Sequence, residues 1–554
     1  MKRILSLMLI SSISAFSVQY PATSATISGG AVLSGDYVKM NDGEMVFNSV
    51  SASQAGMYDI KIHYKQGYGD TKEQNLLING ITVSKVVFPR ATDWKDAVTV
   101  VRLNSGNNTV AITKDWGWVD IQYIDVVPHE NVAFDLNKNL ANPNANTAAK
   151  KMFAFMQENF QKKVISGVMT NEVLSGNNAV TLNNQTEVKH IRQNSGKTPA
   201  LVGFDFMHGT GKEFEDAKGG WFKNYTDATI SLAKELYQRG GIPAFCWHWR
   251  DPLKNENGFY SPSASSDDKT TFDLTTACTN SNCTDWNTSS NAYSKILEDI
   301  DKVADYLREL QTAGVAVLWR PVHEASGGWF WWGYKGAAPL KLLYKLIFDR
   351  LTTHHQLNNL IWVWTSDGAD YDWYPGDGYA DIIGRDFYYN PNPQSTVNHA
   401  SLIGEFEKLK NLFGTKKMIA LSENGSVPYP ENLQADGASW SYFMPWYGDF
   451  VTQANTAVDW NKIMNDSYVI TLEDMLGWDS YNPSSSSGNA ISSSSGGSSS
   501  SAGSTPIANH SPLTTSHSPA YYSLKGEPLG NAKPQKAGVY IVKEGYSVRK
   551  IVVR

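Results

Sequence analysis

The sequence predicts an α/β chain built on a (β/α)8 TIM barrel, with a β-sandwich ahead of it and a small β-module behind it. Three observations carry that expectation. Eight short apolar segments alternate with helical patterns over residues 148–480, and polar residues gather at the C-terminal ends of several of them. Residues 26–130 instead alternate polar and apolar positions between turn signals. With 554 residues, the chain exceeds one ordinary core and calls for more than one domain.

The first element is an export signal over residues 1–25. Met1-Lys2-Arg3 opens it, and the apolar stretch Ile4 to Phe16 is too short to span a bilayer. Small residues follow, and cleavage is expected near Ala25. The sandwich over 26–130 rests on alternation, as in Tyr58-Asp59-Ile60-Lys61-Ile62-His63-Tyr64 and Asn108-Thr109-Val110-Ala111-Ile112. Asp42-Gly43, Asn79-Gly80 and Ser105-Gly106 supply turns between such strands. The polar stretch Asn139 to Asn146 reads as a linker.

The eight strand candidates are Val164–Met169, Ala200–Phe206, Ile242–Trp249, Val315–Glu324, Leu360–Ser366, Ile382–Tyr388, Met418–Asn424 and Tyr442–Tyr447. Apolar steps of three and four over Ile296–Leu310 and Leu340–Leu351 predict intervening helices. A doubly wound open sheet is the rival. The barrel is preferred because its strand ends converge on one mouth, where the polar residues would meet. Residues 483–504 are nearly all Ser, Gly and Asn and read as a flexible linker. The last segment, 505–554, carries two strand patterns, Gly538–Lys543 and Ser547–Arg554, and is too small for an enzyme.

A net charge of -6 at pH 7 offers no basic face for nucleic acid. No later stretch is long and apolar enough to span a membrane. Of the three cysteines, Cys278 and Cys283 flank a polar loop and could form a small staple after export, whereas Cys246 sits in an apolar run as a buried thiol. No Cys/His cluster has ligand spacing, so no metal site is expected. The chain is rich in Trp and Tyr, which suits either a core or a surface that stacks on sugar rings.

Two carboxylates stand where an apolar strand meets a polar loop. The fourth candidate ends Trp319-Arg320-Pro321-Val322-His323-Glu324, and the seventh runs Ala420-Leu421-Ser422-Glu423-Asn424-Gly425. Cleavage of a glycosidic bond with retention needs two carboxyl groups roughly 5–5.5 Å apart, one protonated and one ionised. Strand ends four and seven can face each other across a barrel mouth. The charge of Glu423 should hold the proton on Glu324, which then turns into a base once Glu423 is glycosylated. His323 and Arg320 either orient this pair or simply pack the strand end. Trp329-Phe330-Trp331-Trp332, between glycines and just after the acid, would line a sugar cleft, with burial in the core as the alternative. Asp205 and His208, near the end of strand two, are equally divided between sugar binding and packing.

These stretches, with Gly327-Gly328-Trp329-Phe330-Trp331-Trp332-Gly333, Trp362-Val363-Trp364, Tyr374-Pro375-Gly376-Asp377 and Gly384-Arg385-Asp386-Phe387-Tyr388, resemble glycoside hydrolase family 26, which consists mostly of β-mannanases. The resemblance covers about residues 148–480. It implies that Glu324 is the acid/base and Glu423 the nucleophile, and that no cofactor takes part in catalysis. It further implies that His323 lies in the active centre, Trp329 walls the cleaved bond, Tyr388 hydrogen-bonds the nucleophile and Asp386 holds that network. His248 matches a sugar-binding histidine and Trp446 an aromatic platform. Many members carry Gly-His-Gln at the end of strand one, where this chain has Gly167-Val168-Met169. That departure bears on distal sugar contacts.

Residues 26–129 resemble a carbohydrate-binding module of the family 35 or family 6 type through Gly56-Met57-Tyr58-Asp59-Ile60, Leu77-Ile78-Asn79-Gly80, Leu103–Asn108 and Val119–Ile124. Such modules hold sugars at a loop end, often with a bound calcium. Tyr68, Trp116 and Trp118 are the aromatic candidates, with the sandwich core as their alternative. The final segment resembles the sorting domain of type IX secretion substrates, which implies a partner in the secretion machinery and a secreted, extracellular or cell-surface location. A second glycan-contacting module is the alternative for it.

The function expected is a retaining endo-β-1,4-mannanase acting on mannan, glucomannan or galactomannan of plant cell walls. The same fold and mechanism acting on mixed-linkage β-glucan or β-1,3-xylan is the second reading. A non-catalytic polysaccharide-adhesion protein is the third.

Overall fold

The computed structural model describes residues 17–69, 71–216, 220–389 and 397–482, together with four strands between residues 520 and 553. The apolar leader and the Ser-rich segment 483–504 lie outside the described residues.

The N-terminal region is a sandwich of two antiparallel sheets. One orders Val32–Ser34, Tyr37–Lys39, Asp120–Pro128, Gly56–Gln66 and Ala91–Leu103; the other orders Thr26–Ser28, Glu44–Ala52, Gly106–Trp116, Lys72–Ile78 and Ile81–Phe88. Period-two patterning selects the face. Tyr58, Ile60, Ile62 and Tyr64 are buried while Asp59, Lys61 and His63 point outward. Asn79 and Gly80 both take positive φ, 51° and 82°, and join their strands in a two-residue hairpin. Val18–Pro21 pairs with Asp120–Pro128, and Ala22 is buried, so paired structure begins ahead of the boundary expected at residue 26.

In the second region, eight parallel strands run in chain order: Gly167–Met169, Leu201–Asp205, Ile242–Cys246, Val317–Arg320, Leu360–Thr365, Ile382–Phe387, Met418–Asn424 and Phe443–Pro445. The barrel closes where Ile165 bridges Tyr442 and its N–H donates to the Ser441 carbonyl at 3.1 Å. A Cβ on Gly167 would lie 2.4 Å from the Phe443 carbonyl oxygen, so this seam requires glycine. Helices cover the strands. Asn291–Thr312 starts at the Ser290 cap and buries Ile296, Ile300, Val303, Leu307 and Leu310. Ala337–Asp349 buries Leu340, Leu343 and Ile347.

Residues 139–146, expected as a linker, are instead built into the barrel. Asn142 is buried and donates to Asn358 Oδ1 at 2.9 Å, and Asn146 caps the helix Thr147–Asn159. Asn142 is polar because it satisfies buried groups, which composition cannot distinguish from solvation. Cys278 and Cys283 form a disulfide, and Cys246 is a buried free thiol. No helix among the described residues is long and apolar enough to cross a membrane.

The C-terminal unit is an antiparallel sheet ordered Pro528–Gly530, Ala520–Tyr522, Gly538–Glu544, Ser547–Val553. Its last two strands pair Gly538 with Val553 and Glu544 with Ser547.

Candidate active site

The fourth barrel strand ends at Arg320, so His323 and Glu324 stand in the turn beyond it and not in the strand. Val322 and Glu324 both have positive φ, 43° and 52°. For a β-branched valine that is a strained conformation, and it breaks the pleat. The turn aims Glu324 into the mouth, where its Oε2 accepts a hydrogen bond from Trp329 Nε1 at 3.0 Å. A Cβ on Gly327 would collide with the Trp329 ring at 2.0 Å; the missing side chain lets the indole fold back over the acid.

The seventh strand delivers Glu423 through a bulge. Arg385 pairs with Leu421 and Asp386 with Glu423, skipping Ser422, so two successive side chains of strand seven serve one face. Ser422 Oγ donates to Asp386 Oδ1 at 2.6 Å. Arg320 is buried between Asp386, at 2.7 Å, and Glu423, with which it forms a close ion pair. The Tyr388 hydroxyl donates to Glu423 Oε2 at 2.8 Å. Carboxylate oxygens of Glu324, Asp386 and Glu423 lie within 4.8 Å of one another.

The environments separate the two glutamates. Burial raises the Glu324 carboxyl well above its ordinary range, and the charges of Asp386 and Glu423 push it further. Burial and Asp386 also raise Glu423, but the Arg320 charge and hydrogen bond oppose that rise. With a cation and a phenol on its oxygens, Glu423 is the group that ionises first, and Glu324 keeps the proton. Arg320→Met is therefore expected to raise the Glu423 pKa, because a cation favours the ionised carboxylate. The acid limb of kcat/KM should move to higher pH; a pH–rate profile that keeps its acid limb would contradict the assignment.

His323 is buried, with Nε2 4.0 Å from Glu423 Oε1. Burial, then the charges of Arg320 and His248, hold its pKa well below the ordinary value, so the ring is neutral. His248 lies past the third strand. Its Nδ1 is 2.5 Å from Asp205 Oδ2, and its ring meets those of His323 and Trp446 at 4.6 and 5.8 Å. Burial opposes ionisation of Asp205, yet the charge and hydrogen bonds of His248 keep its carboxyl below the usual value. Asp205 thus orients His248 from beneath. The His208 ring packs against Trp221, Phe222 and Tyr225, and burial lowers its pKa to about 4.

Within the aromatic run, Trp329 is 42% exposed, whereas Trp331 and Trp332 are buried to 1% and 0%. Trp332, expected at the sugar cleft, therefore has no face for a ligand. It stacks on Phe330 with centroids 4.3 Å apart, and its Nε1 donates to the His323 carbonyl at 2.8 Å. The reason is the short helix Trp331–Tyr334, which turns the run back under the loop and brings Gly333 against the Ala325 carbonyl, where a Cβ would be 1.9 Å away. Trp332 anchors the strained turn. Trp332→Phe leaves a buried carbonyl unpaired, at a cost of about 1–3 kcal/mol. It is expected to lower both kcat and the melting temperature with little change in KM; an unchanged kcat would deny Trp332 this role.

One residue went unread in the sequence. Tyr260, from the loop after strand three, stacks on Phe330 at 5.2 Å, and burial followed by the charge of Glu324 raises its pKa. That loop has no periodicity to flag it.

In the sandwich, Trp116 is 65% exposed, and Trp118 and Tyr68 are also exposed, which answers the core alternative. Tyr68 meets Trp118 edge-on at 5.7 Å and donates to Asp120 at 3.0 Å; Trp118 Nε1 donates to Asp42 at 3.2 Å.

Comparison with known proteins agrees with this geometry. Residues 141–474 match the family described as Glycosyl hydrolase family 26, and residues 13–129 match Carbohydrate binding module (family 35). A mannan endo-1,4-beta-mannosidase of Thermothelomyces thermophilus is 35% identical over 77% of this chain and 82% of its own length. The crystal structure of a Podospora anserina GH26-CBM35 beta-(1,4)-mannanase is 34% identical with a TM-score of 0.55, covering 84% of this chain and 99% of that one. A beta-mannanase from a symbiotic protist of the termite Reticulitermes speratus, complexed with gluco-manno-oligosaccharide, is 41% identical over 63% of this chain and all of its own, also with a TM-score of 0.55.

Proposed function

The chain belongs to glycosyl hydrolase family 26, and from that premise we propose that it is a mannan endo-1,4-β-mannosidase working by double displacement. The observation that carries the mechanism is the approach of Glu324 and Glu423 oxygens to within 4.8 Å. Oxygens this close suit direct attack by one carboxylate, whereas an inverting enzyme sets its carboxyl groups roughly 6.5–9.5 Å apart to admit water.

In the first step a Glu423 oxygen bonds to the anomeric carbon while the glycosidic C–O bond breaks and Glu324 passes its proton to the departing oxygen. Glycosylation removes the Glu423 charge and with it part of what raised the Glu324 pKa, so Glu324, having given up its proton, stays ionised and is available to act as base. In the second step Glu324 takes a proton from water, whose oxygen attacks the same carbon and releases Glu423. Acid, base and nucleophile are all side chains. Arg320 and Tyr388 hold Glu423 ionised and oriented, and Asp386, itself held by the Ser422 hydroxyl, fixes the Arg320 guanidinium. Trp329 would wall the cleaved bond, and His248 and Trp446 would be sugar contacts.

Mannan is favoured over mixed-linkage β-glucan and β-1,3-xylan because the relative from Thermothelomyces and the two mannanase structures carry mannan-type names. The adhesion reading has no use for the paired carboxylates. In the module, Tyr68, Trp116 and Trp118 form the exposed aromatic face that would hold the polymer. Modules that this region resembles often bind calcium; both clusters that bring three acidic, cysteine or histidine groups together among the described residues lie in the barrel. Export fits the Cys278–Cys283 disulfide and a polymer substrate too large to enter cells. Delivery by a type IX-like route remains the reading of the tail.

The test is hydrolysis of galactomannan, glucomannan, barley β-glucan and β-1,3-xylan, with the first-formed anomer of a mannohexaose digest read by NMR. Preferential release of internal mannan fragments with β-configured new ends is expected. Equal or greater β-glucan cleavage would overturn the substrate, and α-configured new ends would overturn retention.

A further inference from the structure

The helix Ile403–Phe413 connects the two strands that bring Asp386 and Glu423 into the mouth, and it is the helix on which the sandwich sits. Its Glu405 is fully buried and receives Arg385 Nε at 3.0 Å and Lys408 Nζ at 2.6 Å. From the sandwich, Ser84 Oγ reaches Glu405 Oε1 at 3.3 Å, and Thr99 Oγ1 donates to Ser84 Oγ at 3.3 Å. The two domains meet closely here: a Cβ on Gly404 would lie 2.7 Å from Ser84 Oγ and 2.8 Å from Thr99 Oγ1. Asn398 and Lys408 extend the seam by donating to the Thr82 and Lys85 carbonyls.

Arg385 works on the side of strand six opposite the mouth. Its Nη1 donates to the Asp386 carbonyl at 3.2 Å and reaches the Ser366 carbonyl at 3.5 Å, tying the ends of strands five and six together. These contacts sit at the bulge that pairs Asp386 with Glu423, where a Cβ on Gly384 would strike Ser422 Oγ at 2.3 Å. A bulge has no ladder of its own to fix it, so its geometry depends on side chains that clamp the flanking carbonyls. A buried ion pair, in turn, holds one geometry only when its remaining lone pairs are met, and the sandwich meets one of them through Ser84.

We infer that Arg385 and Glu405 are positioning residues for the nucleophile, and that the sandwich, by closing over Glu405, is a structural part of the active site as well as a module for polymer. The inference rests on the reading of Glu423 as nucleophile. The clamp sets where Asp386, and through it Arg320, presents a cation to Glu423. Loosening it shifts the attack geometry and the ionisation of Glu423 together, whatever the size of the substrate.

The experiment uses the full chain and soluble mannohexaose, which removes any advantage of polymer capture. Arg385→Met is expected to lower kcat by roughly 10²-fold, the scale of a small misplacement of reacting groups. KM should stay within about twofold, the acid limb of the pH profile should move, and Arg385→Lys should recover part of the loss. Gly404→Val, a wedge at the seam, should lower kcat in the same direction by several-fold. Each variant is assayed below its measured melting transition; if Arg385→Met does not fold, the isosteric Glu405→Gln takes its place with the same expectations. A folded variant with kcat and acid limb unchanged overturns the inference, as does a loss confined to KM or one that Arg385→Lys does not relieve. A wild-type chain inactive on mannohexaose, or an active Glu423→Ala, would sink the functional reading instead.

Discussion

Glu423→Ala is expected to lose turnover on the order of 10⁶-fold, the scale on which removal of a covalent nucleophile is felt. Without the carboxylate no glycosyl-enzyme forms, because Asp386, the other carboxylate beside it, is tied by both oxygens to Arg320 and Ser422. His323 is neutral and held 4.0 Å from Glu423, and the Tyr388 phenol is pushed well above its ordinary pKa by burial and by the Glu423 charge, so neither is an ionised nucleophile. The variant leaves a space beside the Arg320 guanidinium, which would attract a small anion. Azide entering there would attack the anomeric carbon once, while Glu324 still protonates the leaving oxygen. The product should be the α-mannosyl azide, formed by a single inversion. Substantial turnover without azide, or a β-configured azide product, would move the nucleophile elsewhere.

Glu324→Ala should behave differently, because the missing group donates and accepts a proton. On mannan, whose leaving alcohol needs protonation, the loss should be roughly 10²–10⁴-fold. On an aryl mannoside with a dinitrophenolate leaving group, the first step needs no acid and should proceed near the wild-type rate. The glycosyl-enzyme then waits for a base, so a burst of phenolate followed by a slow steady state is expected. Azide needs no deprotonation; it should speed that second step and yield the β-azide, the opposite configuration from the Glu423 variant. The two variants together separate the roles, since a shared product configuration would mean that one assignment is wrong. An equal loss on mannan and on the activated aryl substrate would remove Glu324 from the role of acid.

The trace of these roles in the sequence is uneven. Alternation in Tyr58–Tyr64 and the turn at Asn79-Gly80 are local signals, and the sandwich follows from them. The eight apolar segments were readable for the same reason, although their ends were not. The fourth stops at Arg320, where positive φ at Val322 and Glu324 breaks the pleat in a way residue type does not announce. Residues 139–146 are polar yet built into the barrel, because Asn142 meets carbonyl and amide partners more than two hundred positions away. Trp332 looked like a cleft residue by company, since it shares its run with Trp329, but a four-residue helix turned it inward.

What the sequence alone determined was the pair of carboxylates, the barrel that presents them and the sandwich that precedes it, because periodicity and turn chemistry are written over a few adjacent residues. Tertiary structure decided which glutamate holds the proton, through burial and through Arg320, which reaches across 103 positions to Glu423. It also decided that Ser84 of the sandwich meets Glu405, 321 positions on, behind the catalytic strands. Charge and burial at a site come from whatever the folded chain packs around it, and those neighbours are set by distance in space rather than by order along the chain.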